Sequence, residues 1–222
     1  YTVSLNVAAV TLSPLGTVSI RDGTGPGSAS CGPVTLTAGT APNSTASCAL
    51  TSVSAGAKTL IADYTPASGA FAASSATAAH PVSAAATAIS VVGPARSRIN
   101  QATPFSFALS LSPPGAGTPT GTVMLSSGTS SCQVNVPTVT SGCALSFNAL
   151  GTRTISAAFV PADGNFLASS SSGAGNAQTL VYALADIAVT KSDGLATYRP
   201  GDLLVYTMAV RVAGDIEPGT SI

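Results

Sequence analysis

Alternation of apolar and polar residues is the dominant signal along this chain. Residues 2–7, Thr-Val-Ser-Leu-Asn-Val, place an apolar side chain at every second position, the spacing of a half-buried strand. Residues 16–20 predict the next strand, which Arg21-Asp22-Gly23 ends with a turn signal. Residues 34–37 and 48–53 predict a hairpin. Residues 58–64 alternate, with Leu60, Ala62 and Tyr64 facing in and Thr59, Ile61 and Asp63 facing out. A turn at 66–69, an anchoring Phe71 and a strand over 79–84 follow.

The pattern then starts again. Residues 143–166, CALSFNALGTRTISAAFVPADGNF, align without a gap to residues 48–71, CALTSVSAGAKTLIADYTPASGAF, at a constant offset of 95 residues. A unit of that length repeated in tandem predicts an array of domains. The boundaries fall at 1–85 and 86–184, with 85–87 as a short joint and a partial β element or exchanged strands at 185–222. The second copy predicts strands at 88–92, 105–111, 121–125, 153–160 and 177–184. Ile155, Ala157 and Phe159 face inward. Short strands with frequent turns predict an all-β fold of tandem two-sheet sandwiches of the immunoglobulin type. The sequence has no Trp, so the antibody hallmark is missing.

Composition narrows the functional classes. Eight basic residues balance eight acidic ones, so no positive field exists to attract nucleic acid. Apolar residues are plentiful, mostly Ala, Val and Leu, so a packed core is within reach. No run reaches the length of a membrane helix, and the sequence opens without a signal-peptide pattern, inside a strand-like stretch. That opening predicts a piece of a longer chain or a processed product.

The four cysteines fall two per copy. Zinc would call for CxxC spacing or histidine partners, and His80 is the only histidine. Disulfides Cys31–Cys48 and Cys132–Cys143 are the better reading, each within a hairpin, and they predict an oxidising, extracellular or cell-surface location.

Candidate chemistry is sparse. His80 lies among small residues with no orienting acid signalled, so it reads as a strand-edge histidine. Asp163-Gly164-Asn165 lacks the spacing of a calcium loop, and the first copy has Ser68-Gly69-Ala70 in its place, so a turn is the better account. Asn43-Ser44-Thr45 is a glycosylation sequon, expected in a loop. Tyr64, Phe71, Phe105, Phe107, Phe147, Phe159 and Phe166 read as core residues. No catalytic residue, metal ligand or cofactor is predicted.

The order of motifs gives a resemblance. Gly-Thr-Val at 16–18 and 121–123, a cysteine pair, Gly-x-[Lys/Arg]-Thr-[Leu/Ile], and Pro-Ala-x-Gly-x-Phe-x-Ala-Ser resemble the bacterial Ig-like repeat of large surface and secreted proteins. Residues 185–194, with Tyr198-Arg199-Pro200-Gly201, resemble the opening of another bacterial surface repeat of unknown function. The resemblance implies a stalk, spacer or adhesive array without catalysis, and no shared functional residues.

The first copy has no counterpart of residues 88–92, and residues 185–222 hold strands without a domain. Two expectations compete: a fragment of a longer array, or strand donation between copies in a head-to-tail filament. Candidate donor positions are Ile187, Val189, Leu204, Tyr206, Met208 and Val210. Expected partners are other copies of the chain or neighbouring domains. The alternative is an adhesin-type module that binds a host surface or glycan through loops at 22–30 and 113–119.

Overall fold

The computed structural model describes residues 2–6, 12–137 and 141–213. The described chain is all-β apart from one 3₁₀ turn at Gly173–Gly175. Its strands are β1 (Thr2–Asn6), β2 (Gly16–Arg21), β3 (Ser30–Thr35), β4 (Thr37–Ala38), β5 (Asn43–Ser47), β6 (Gly56–Pro66), β7 (Ser74–Val82), β8 (Thr87–Val92) and β9 (Arg96–Arg98). There follow β10 (Thr103–Leu111), β11 (Gly121–Ser127), β12 (Ser130–Val136), β13 (Gly142–Leu145), β14 (Gly151–Pro161), β15 (Ser169–Ser170), β16 (Ala177–Tyr182), β17 (Asp186–Ser192) and β18 (Thr207–Ala213).

The chain gathers into two compact units. One comprises Tyr1–Thr87 with Leu111–Thr120 and Pro161–Ala168; the other comprises Ala88–Ser110, Gly121–Val160 and Ser169–Ile222. In the first, sheets run in the orders β1-β5-β4 and β3-β2-β6-β7. Alternation explains the core they share. Val18 and Ile20 of β2 and Leu60 and Tyr64 of β6 point to one side and are buried with Leu36, while Ala46 of β5 packs on them from the other sheet.

The expected inward set on β6 holds for Leu60 and Tyr64, with Ala62 partly buried against the same cluster. Ile61 departs from expectation: it is buried on the outer face, opposite Arg21 in the β2–β6 register. An arginine's aliphatic stem beside an isoleucine removes apolar surface from water on a face that alternation alone assigns to solvent.

In the second unit the sheets run β13-β10-β8 and β12-β11-β14-β16-β9, with β15 beside β14. Ile155, Ala157 and Phe159 of β14 are buried, as their alternation predicts, with Val123 and Leu125 of β11. Phe105 of β10 meets Phe147 edge-on at a ring separation of 6.1 Å. The strand β9 has no counterpart in the sequence reading. It pairs in parallel with β16, Val181 opposite Ser97.

Two backbone devices recur at matching positions. Gly16 and Gly121 open β2 and β11 at φ 148° and 147°, and Gly56 and Gly151 open β6 and β14 at φ 117° and 105°. Side chains rarely adopt these values. At Gly16 a Cβ would also collide with the Thr65 carbonyl, so glycine is needed there on two counts.

Candidate functional site

The disulfides form as paired by sequence, Cys31–Cys48 and Cys132–Cys143, each with Cα atoms 6.2 Å apart. Their setting differs from expectation. Cys31 lies in β3 of one sheet, and Cys48 follows β5 of the other. Cys132 lies in β12 and Cys143 in β13, again in different sheets. Each disulfide therefore ties two sheets together and does not clasp a hairpin. The cause is topological. After β3 the chain leaves its sheet and continues as β4, which pairs with β5, while residues 48–53 are not strand. Closing loops of 17 and 11 residues, the bonds stabilise by on the order of 3 kcal/mol each.

The two loops with candidate binding roles each border a cleft. Gly23, Thr24, Gly25, Ser28 and Ser30 line a cleft of about 480 Å³ together with Ser19, Arg21 and Asp63. Arg21 Nη1 lies 3.1 Å from Asp63 Oδ2 in its lining, with both side chains partly exposed. Ser28 holds the loop closed, its backbone N–H and its hydroxyl both donating to the Gly25 carbonyl. In the second unit the matching β11–β12 connection is only Gly128-Thr129, so the loop that lines this cleft has no equivalent there.

The second cleft, of about 610 Å³, is lined by residues 51–55, 82–86, 112–118, Asp163, Asn165 and Phe166. Asn165 organises its wall. Its Oδ1 accepts from the Ala55 N–H at 2.8 Å, and its carbonyl accepts from the Ala85 N–H. Asp163 Oδ1 accepts the Asn165 N–H, which makes 163–165 the turn the sequence predicts. Among the described residues, no three or more His, Cys, Asp or Glu gather where they could hold a metal ion.

His80 lies near the end of β7, opposite Lys58, and is half-buried. The sequon falls in strand β5, not in a loop: Asn43 is its exposed first residue and Ser44 is fully buried. Phe71 is partly buried, and the other six aromatic residues assigned to the core are buried.

The tail positions come together. Ile187 and Val189 lie in β17, Met208 and Val210 in β18, and Leu204 and Tyr206 just before β18. β17 and β18 pair with each other, Val189 opposite Val210. Tyr206 receives the Lys191 ammonium over its ring at 3.9 Å.

The edges are the feature that sequence reasoning located least well. Among the described residues β1 pairs only with β5, and β7 only with β6. Their counterparts β10 and β16 are covered, by β8 and β9. Buried polar groups follow the same division. Ser97 and Thr179 share a 2.8 Å hydrogen bond between β9 and β16. In the first unit, Asp22 Oδ2 and Ser44 Oγ are buried without a hydrogen-bond partner among the described residues.

No protein-family model matches the chain, and no curated protein matches it.

Proposed function

We propose that the chain is an extracellular structural protein, a stalk or filament subunit built of Ig-like β-sandwich repeats in tandem and assembled head to tail by β-strand donation. The observation that carries this reading is the placement of the disulfides. Each half has its own apolar core and its own covalent tie between two sheets. Such a module keeps its shape under tension, because its sheets cannot slide apart without breaking a covalent bond. Disulfides persist outside the reducing cytosol, which supports the surface location. Sparse charge and recurring glycine-opened strands suit repeated building material, and the reading assigns no catalytic step. Electron microscopy of the native material tests it: rods or continuous fibres are expected, and isolated globular particles would contradict it.

A second reading, an adhesin-type module, draws on the 480 Å³ cleft. Four hydroxyl residues and an Arg–Asp pair offer both donors and acceptors, the complement of a neutral sugar's hydroxyls. Among the described residues no aromatic side chain lines the cleft, so each site would bind weakly and rely on multiple copies in an array. Glycan-array screening separates the readings: signal lost in Asp63→Ala favours adhesion, and a blank array removes it.

A further inference from the structure

The turn at 163–165 occurs in both copies, but its third residue differs in what it does. In the first copy the matching residues are Ser68-Gly69-Ala70. There the Ser68 hydroxyl accepts the Ala70 N–H at 3.5 Å, as Asp163 Oδ1 accepts the Asn165 N–H at 2.9 Å. The turn therefore closes without a polar side chain at its third position. Asn165 uses its side chain elsewhere: Oδ1 accepts the Ala55 N–H at 2.8 Å, across 110 residues of sequence. Ala55 lies just before β6, outside any strand, so no strand pairing supplies its N–H with an acceptor.

Residues 85–87 run between that turn and the loop at 112–118. The Ala85 N–H donates to the Asn165 carbonyl at 2.8 Å, and the Ala85 carbonyl accepts the Leu167 N–H at 2.9 Å, a parallel bridge of Ala85 to Phe166. The Ala86 carbonyl accepts the Ser112 N–H at 2.9 Å, and Thr87 Oγ1 donates to the Leu167 carbonyl at 2.8 Å. A free connection would leave these groups to water. Small residues make the seat possible. A Cβ on Gly115 would come within 2.8 Å of the Ala85 Cβ, so Gly115 has no room for a side chain while Ala85 is seated. All of these residues belong to the first unit.

We infer that residues 85–87, expected from sequence to be a short joint, are an anchored strap and not a hinge, and that Asn165 is the positioning residue that fixes it. Its carbonyl holds Ala85 and its side chain ties the same turn to Ala55, so the strap, the turn and the start of β6 are held as one piece. The side-chain acceptor is specific to the second copy, because Ala70 offers none. Its functional meaning rests on the structural reading above: a pull on residues 85–87 is shared by four hydrogen bonds to two loops and does not fall on a bare chain.

Amide hydrogen exchange on the full-length chain, resolved by residue with NMR, tests the strap. The Ala55 and Ala85 amides, both outside the named strands, are expected to be protected in the unmodified chain. Asn165→Ala should speed exchange at Ala55 by roughly tenfold, the worth of one hydrogen bond, and leave the Ile155 and Phe159 amides of β14 unchanged. Asn165→Asp keeps an oxygen acceptor in the same place and should restore protection at Ala55, a rescue that general loosening of the turn would not show. Gly115→Val gives a second route: crowding Ala85 should open residues 83–87 to elastase, which cuts after small residues, while β14 stays protected. The anchor is overturned by Ala55 and Ala85 amides that exchange as fast in the unmodified chain as in an unstructured peptide. An Ala55 amide indifferent to Asn165→Ala, or a loss that Asn165→Asp does not restore, overturns the role given to Asn165. In any of these cases rods or fibres by electron microscopy leave the structural reading standing, whereas globular particles beside a protected strap remove that reading alone.

Discussion

Strands β7 and β16 occupy the same place in two related arrangements and have opposite fates. Gly56 pairs with Val82, and Gly151 pairs with Val181. Val181 is 1% exposed, its neighbour Thr179 bonds Ser97, and β9 covers the strand's far edge. On β7, Ala78 is exposed, Val82 is half-buried, and β6 is the one strand paired with it among the described residues. Both segments form strands, although β7 is richer in Ala and carries Pro81. Among the described residues, what differs is whether a further strand lies along the edge. Burial is thus a property of the completed arrangement and not of the strand alone.

Substitutions can break or sharpen this contrast. Phe159→Ala should have the largest effect, about 3–5 kcal/mol from the cavity left in the fully covered core. Reduction of the disulfides comes next. Each tie lost should cost on the order of 3 kcal/mol, and calorimetry with and without reductant should show a lower unfolding temperature. An unchanged temperature would mean that the sheets do not depend on their covalent link.

Val181→Ala should cost about 2 kcal/mol, whereas Val82→Ala should cost less, about 1 kcal/mol, because part of the Val82 side chain stays in contact with water. Equal costs by chemical denaturation would erase the distinction between the faces. Ser97→Ala strands the buried Thr179 hydroxyl and should cost about 1–3 kcal/mol. Asp63→Asn should be the mildest change, below about 1 kcal/mol, since the ion pair with Arg21 is partly exposed and screened by water.

Much of this was legible in residue order. The alternation at Ile155, Ala157 and Phe159 gives both the strand and its buried side, because the period of two has one physical meaning. The cysteine pairing followed from two residues per copy. The cross-sheet route of each disulfide did not, because a chain leaving its sheet after β3 has no distinct local signature. β9 was hidden for a related reason: Arg96-Ser97-Arg98 carries no apolar alternation, and its role comes from one buried hydroxyl meeting Thr179. The sequon's strand position was obscured by the polar residues of β5, whose inward Ser44 carries no hydrophobic mark. At the candidate binding loops, sequence found the loops; the Arg21–Asp63 pair beside them needed the β2–β6 register, which places Ser19 opposite Asp63 and Arg21 opposite Ile61.

Amide hydrogen exchange on the dilute full-length chain tests the contrast most directly. The account predicts that the amides of β16 exchange slowly while those along β7 exchange much faster. Protection of β7 equal to that of β16 in the monomer would contradict it.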